Sequence, residues 1–210
     1  MQERADHPVA GLDEDRLDQL CLALVNQGYC ILDDAVPSAL LQALQLQATG
    51  LPRAQLRRAG TGREQQHQLD ARIRSDLVHW LQPGTVASNG YLEFAERLRE
   101  GMNSRIYLGL FDYEAHYACY EPGASYSRHR DAFAGRRNRI VSTVLYLNAQ
   151  WQQELGGELL LYDEDGTLLQ RIVPVLNRLV LFLSERFPHE VLPAQRDRYS
   201  IAGWFRVREN

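Results

Sequence analysis

Between residues 113 and 207 the chain is cut into eight short runs rich in β-branched and aromatic residues. This succession constrains the fold more than any other feature. The runs cover 113–120, 125–131, 140–147, 157–162, 167–173, 178–183, 190–192 and 199–207. Turn signals separate them, at Glu121-Pro122-Gly123, Gly135, Gly156-Gly157 and Asp165-Gly166, where glycine and proline supply backbone angles that a strand does not use. Helical periodicity is confined to the residues in front of them. Strands and helices segregated along the sequence predict an α+β chain with a jelly-roll barrel core buttressed by N-terminal helices.

The buttress reads from about residue 12 to 105 and the core from about 106 to 207, together one catalytic domain over 12–210 behind a flexible polar leader, 1–11. Leu17, Leu20, Leu24 and Val25 recur at helical spacing after Asp13, with Gly28 as the stop. A short strand follows at 29–32. Pro37 and Ser38 open a second helix, with Leu40, Leu41, Leu44 and Leu46 apolar and Gly50 ending it. A strand carrying Trp80 is expected at 76–81, and a third amphipathic helix at 91–102. The intervening segment loses hydrophobic periodicity. Between Arg53 and Arg74 it holds six arginines against Glu64 and Asp70, which fits either a solvated loop or a mobile arm that meets an acidic partner.

Composition removes several classes of function. No apolar run is long enough to cross a bilayer, so no membrane partner is expected, and the polar, acidic start carries no targeting signal. Three cysteines without a CxxC pair suggest neither a disulfide framework nor a zinc knuckle, which suits the cytoplasm. A formal net charge of −4 gives no general attraction to nucleic acid. The chain has no lysine, so a Schiff-base mechanism is excluded and any buried cationic anchor must be an arginine.

Within the second predicted strand of the core stands His129-Arg130-Asp131. If this stretch is extended, residues two apart share a face, so His129 and Asp131 can reach one metal while Arg130 looks away. A second imidazole would complete the two-histidine, one-carboxylate set of non-haem iron oxygenases. His189, 58 residues beyond Asp131, is the candidate; His116, at strand spacing, is its rival. Arg198 follows nine residues after His189 on the next predicted strand.

The run from Phe187-Pro188-His189-Glu190 to Arg198-Tyr199, followed by Trp204, resembles the Fe(II)- and 2-oxoglutarate-dependent dioxygenases. More narrowly it resembles the prolyl hydroxylases of the oxygen-sensing, hypoxia-inducible-factor type and their bacterial relatives. Cys119-Tyr120 before Pro122-Gly123, Tyr126-Ser127-Arg128-His129-Arg130-Asp131, Tyr146-Leu147-Asn148 and Gly156-Gly157-Glu158-Leu159 extend the match. Ile73-Arg74-Ser75-Asp76 with Trp80 is similar to the subfamily's mobile finger loop, which would span about 51–80.

The resemblance implies a double-stranded β-helix and a residue assignment. His129, Asp131 and His189 would be the Fe(II) ligands and the catalytic centre. Arg198 would hold the distal carboxylate of 2-oxoglutarate, since a guanidinium pairs bidentately with a carboxylate and stays charged when desolvated. Tyr146 and Tyr120 would line the same cosubstrate pocket, and Arg74, Asp76, Trp80, Arg139 and Trp204 the substrate groove. O2 would be consumed, succinate and CO2 released, and ascorbate would support turnover.

A protein substrate is implied as well, with a switch-region proline of elongation factor Tu as the leading candidate. Arg128, Arg130, Arg136, Arg137 and Arg139 would add to the basic arm facing it. Ala202 stands where the animal oxygen sensors usually carry a threonine, so their oxygen kinetics are not carried over. The alternatives are the same chemistry on another peptide, an amino acid or a nucleobase, a metal-binding cupin without 2-oxoglutarate, and a non-catalytic jelly-roll interaction module. The arginine-rich signature of the nucleobase demethylases is not reproduced after His189.

Overall fold

The computed structural model describes residues 12–60, 73–132 and 138–208. The leader 1–11, the middle of the arginine-rich segment, and Arg136 and Arg137 of the basic cluster lie outside them. Among the described residues there are three α-helices and eleven strands. No helix among them is long and apolar enough to cross a membrane.

Helix α1 (Glu14–Asn26) starts where Asp13 accepts a hydrogen bond from the Arg16 amide at 2.8 Å, a cap worth about 1 kcal/mol. It buries Leu17, Leu20, Cys21 and Leu24. Strand β1 (Tyr29–Leu32) and helix α2 (Ser38–Gly50) fall where the periodicity placed them.

Helix α3 (Val86–Ile106) is longer than the predicted 91–102. Its true start is Thr85, whose hydroxyl accepts from the Ser88 amide at 3.0 Å. Asn89 and Gly90, ahead of the predicted start, lie inside the helix. Gly90 packs there against α2, where a Cβ would come within 2.9 Å of a Leu40 methyl.

The remaining strands are β2 (Arg57–Arg58), β3 (Leu77–Trp80), β4 (Asp112–Tyr120), β5 (Tyr126–His129), β6 (Arg139–Tyr146), β7 (Leu159–Tyr162), β8 (Leu168–Ile172), β9 (Leu179–Leu183), β10 (His189–Val191) and β11 (Arg198–Arg206). They form two antiparallel sheets, a large one ordered β1-β9-β6-β11-β4-β3-β2 and a small one ordered β5-β10-β7-β8. Strand β2 escapes sequence reading because its two arginines are both exposed and carry no alternation. Of the span resembling a finger loop, the described flanks include two strands: β3 pairs with β4, Leu77 opposite Cys119, and β2 pairs with β3.

Two apolar clusters follow from this layering. Leu20, Leu44, Met102, Leu145, Leu179 and Phe205 belong to the cluster in which the helices pack on the outer face of the large sheet. Leu161, Val180, Phe182 and Tyr146 belong to the second, between the sheets. Fully burying side chains of this size contributes roughly 1.5–3 kcal/mol each. All three cysteines are buried and unpaired, as small hydrophobic residues would be.

The outer cluster contains one close backbone approach. A Cβ on Gly203 would sit 2.2 Å from the Tyr113 hydroxyl, which meets Thr143 Oγ1 at 2.8 Å and the Tyr91 hydroxyl at 3.2 Å. Gly203→Ala is expected to destabilise the protein by about 1–3 kcal/mol through overpacking, read as a lower urea midpoint; an unchanged midpoint would show that Tyr113 can swing away freely.

Candidate active site

The space between the two sheets is lined by residues that alternate along three strands of the large sheet. On β4 these are His116, Ala118 and Tyr120, on β11 Arg198, Ser200, Ala202 and Trp204, and on β6 Ser142 and Val144; His129 and His189 close it from the small sheet, with Asp131 just beyond β5. Register sets their relative positions. His189 lies directly opposite His129 in the β5–β10 pair, with ring centroids 4.2 Å apart.

Strand β5 ends at His129, two residues short of the expected limit, and Asp131 follows in a bend. It nevertheless reaches both histidines. His129 Nε2 is 3.6 Å from Asp131 Oδ1 and His189 Nε2 is 3.6 Å from Oδ2. One donor atom from each residue lies within 4.8 Å of the others.

Each histidine points Nδ1 at a carbonyl two residues earlier, His129 at Ser127 (2.8 Å) and His189 at Phe187 (3.1 Å). A carbonyl only accepts, so Nδ1 carries the proton and Nε2 keeps its lone pair for the shared space. Burial and the neighbouring His129 push His189 down to about 4, so its ring is neutral near pH 7. Burial alone would push Asp131 up, but the two imidazoles and the Ser142 hydroxyl hold it well below the usual carboxylate range. Two imidazoles and one carboxylate on one side, converging on one point, fit a divalent iron ion.

A contact from the large sheet fixes the carboxylate. Ser142 Oγ donates to Asp131 Oδ2 at 2.7 Å and meets Ser184 Oγ at 2.8 Å. Sequence reasoning passed over Ser142, since a serine inside a strand carries no signal without the fold. Losing such an outer partner typically costs 10–100-fold in metal affinity. Ser142→Ala is therefore expected to weaken Fe(II) or Mn(II) binding by about tenfold, measured by competition with a chelator, and an unchanged affinity would make the serine a packing residue only.

Arg198, 1% exposed, donates to the Gly157 carbonyl at 2.8 Å and lies 4.9 and 5.0 Å from the Tyr120 and Tyr146 ring centres. No carboxylate pairs with it among the described residues. The Tyr146 hydroxyl, fully buried beside it, has no hydrogen-bond partner there either. A buried guanidinium that lines the cavity, with an orphaned hydroxyl on the ring beside it, fits the distal carboxylate of a 2-oxo diacid. Burial pushes Tyr120 and Tyr146 up, so both remain phenols.

The five residues assigned to a substrate groove separate into different environments. Trp204 lines the cavity with its indole N–H unpaired, and Arg139 lies 3.7 Å over its ring while donating to Glu114. Arg74 lines the cavity, 4.6 Å over Tyr126, and pairs with Asp76 at 2.7 Å. Asp76 is wholly buried and does not reach the cavity; it holds Arg74 from behind. Trp80, 47% exposed, stands outside, edge-on to His116.

Sequence reasoning also missed Tyr126, stacked on His129 with 3.5 Å between centroids. His116, the rival metal ligand, lines the cavity but lies outside the cluster that could hold an ion. Burial, with Arg74 and Arg139 adding to it, pushes its pKa down to about 4 against the opposing pull of Asp76 and Asp131. The unfolded chain, near 6.5, takes up a proton that the folded one refuses, so His116 lowers stability as pH falls from 6.5 towards 4, by up to about 1.4 kcal/mol per unit of difference. Urea midpoints at pH 7.5 and 4.5 should therefore differ less in His116→Leu than in the wild type; equal differences would overturn this.

A profile described as the 2OG-Fe(II) oxygenase superfamily matches residues 115–206. The prolyl hydroxylase EGLN3 of Homo sapiens is 30% identical over 208 residues, spanning 92% of this chain and 84% of that protein. Among solved structures, a Pseudomonas putida prolyl-4-hydroxylase superimposes with a TM-score of 0.83 at 38% identity, covering 91% of this chain and 99% of that one. A Trichoplax adhaerens prolyl hydroxylase, in complex with a hypoxia-inducible-factor oxygen degradation domain peptide fragment, gives 0.77 at 28% identity, covering 92% and 90%.

Proposed function

Because the chain belongs to the 2OG-Fe(II) oxygenase superfamily, and within it to the prolyl hydroxylases of the hypoxia-inducible-factor type, we propose that it hydroxylates a prolyl residue of a protein substrate, with the switch-region proline of elongation factor Tu as its leading target. It is a 2-oxoglutarate-dependent dioxygenase that uses Fe(II), 2-oxoglutarate and O2. The bound iron supplies the dioxygen chemistry by which 2-oxoglutarate becomes succinate and CO2 while one oxygen atom goes to the substrate carbon.

The observation that carries the residue assignment is the pairing of a convergent His129-Asp131-His189 cluster with a buried arginine that lacks a carboxylate among the described residues. His129, Asp131 and His189 hold the metal. Ser142 orients Asp131. Arg198 and the Tyr146 hydroxyl grip the distal carboxylate, and the Tyr120 ring packs against the guanidinium. The second apolar cluster keeps bulk water from the reacting centre.

In this reading the two sheets are the halves of a double-stranded β-helix, 12–210 is one catalytic domain, and the protein works in the cytoplasm. The Trichoplax relative's peptide complex supports a peptide groove, here the side bearing Arg139, Trp204 and Arg74. The surplus of arginine between Arg53 and Arg74 supports an acidic protein partner.

The test is mass spectrometry of elongation factor Tu incubated with the protein, Fe(II), ascorbate and 2-oxoglutarate in air, beside an Asp131→Ala control. The expected result is a one-oxygen gain on a switch-region proline that the control lacks. A gain only on prolines of other proteins would retain the hydroxylase and discard this target.

A further inference from the structure

The mechanism above leaves unused the most conspicuous polar side chain in the cavity. His116 is 3% exposed, and neither ring nitrogen has a hydrogen-bond partner among the described residues. Trp80 and Trp204 pack against the ring, at 5.2 and 5.4 Å between centroids. The indole N–H of Trp204 is orphaned as well. Leaving a buried donor or acceptor unmade costs about 1–3 kcal/mol each, and a core position opposite Ala202 could have been filled by an apolar residue.

The position of the ring narrows what it serves. His116 and Tyr120 face the same cavity from one strand, four residues apart, or about 14 Å at 3.4 Å per residue. Tyr120 is opposite Arg198 and His116 opposite Ala202. A five-carbon diacid gripped at Arg198 extends at most about 6 Å through its four carbon–carbon bonds, so it falls short of His116. This end of the cavity carries Trp204, with Arg139 above it.

We infer that His116 is a specificity-determining residue of the substrate groove, hydrogen-bonding a main-chain amide of the bound peptide beside the target proline. The inference rests on the prolyl hydroxylase reading. The ring is neutral, with its pKa pushed down to about 4, so one nitrogen donates and the other accepts. A peptide amide offers both complements; a carboxylate offers acceptors only. The Trp204 N–H supplies a second donor for a carbonyl on the same stretch.

The experiment uses the full chain with Fe(II), 2-oxoglutarate and a pool of short peptides randomised around a central proline, comparing wild type with His116→Leu and His116→Gln. The apparent KM for the pool is expected to rise about tenfold in His116→Leu and to recover in part in His116→Gln, which restores a donor and an acceptor. The Kd for 2-oxoglutarate should stay put, and the ligand-free His116→Leu protein should melt at the wild-type temperature or above it at pH 7.5. An unchanged KM, with or without a lower melting temperature, would overturn the inference and leave the ring as packing between two tryptophans, while the hydroxylase reading stood. Absence of hydroxyproline even with wild type would overturn both.

Discussion

The Arg198→Met variant is expected to lose at least a hundredfold in 2-oxoglutarate affinity while melting at the wild-type temperature or higher. The two effects have one cause. Arg198 is buried with the Gly157 carbonyl and two aromatic rings for company, and no anion among the described residues offsets its charge. In the ligand-free protein that charge is a liability, and replacing buried ionic groups with apolar ones of similar volume is often neutral or stabilising. In the complex it is half of a desolvated ion pair, whose loss costs about 3–5 kcal/mol, or two to three powers of ten in Kd. Titration of 2-oxoglutarate into the Mn(II)-loaded protein without oxygen, beside a thermal melt, checks both halves. Unaltered affinity, or a collapse in stability, would make Arg198 a structural residue.

The Asp131→Asn variant is expected to retain no iron after desalting and to lose product formation by more than the 10–100-fold typical of an outer-partner change. Asparagine preserves the shape and the acceptor for Ser142 but removes the one negative charge of the cluster, which is held ionised by His189, His129 and Ser142. The two imidazoles alone leave a divalent ion without charge compensation and free to accept competing ligands. Metal content measured on wild type and variant in parallel decides it; an iron content equal to wild type would show that Asp131 is not a ligand.

Much of this protein was legible in the sequence because its information is local there. Strand period and turn glycines marked eight runs that correspond to β4 through β11, and amphipathic spacing marked three helices. The His129-Arg130-Asp131 triplet was visible because alternation on an extended chain is fixed by backbone geometry. The lack of lysine pointed to arginine as any buried cationic anchor, and the fold buries Arg198 without a counter-ion among the described residues.

What stayed hidden was whatever depends on a partner distant in sequence. Arg57–Arg58 is a strand only because β3 lies beside it, and Gly90 lies within α3, packed against the Leu40 side chain of α2. Ser142 became a partner of Asp131 when the sheets faced each other. Asp76, expected in a groove, instead lies buried behind Arg74.

By itself the sequence determined the order of elements, the residue types able to bind a metal and a diacid, and the faces those residues occupy, since each follows from a period of two or 3.6 along one chain. Only the tertiary structure decided between His116 and His189 for the histidine that meets His129 and Asp131. Both sit on strands with inward faces; antiparallel pairing of β10 with β5 puts His189 opposite His129, while pairing of β4 with β11 carries His116 to the Trp204 end of the cavity. Register is a relation between strands, and one strand's sequence does not contain it.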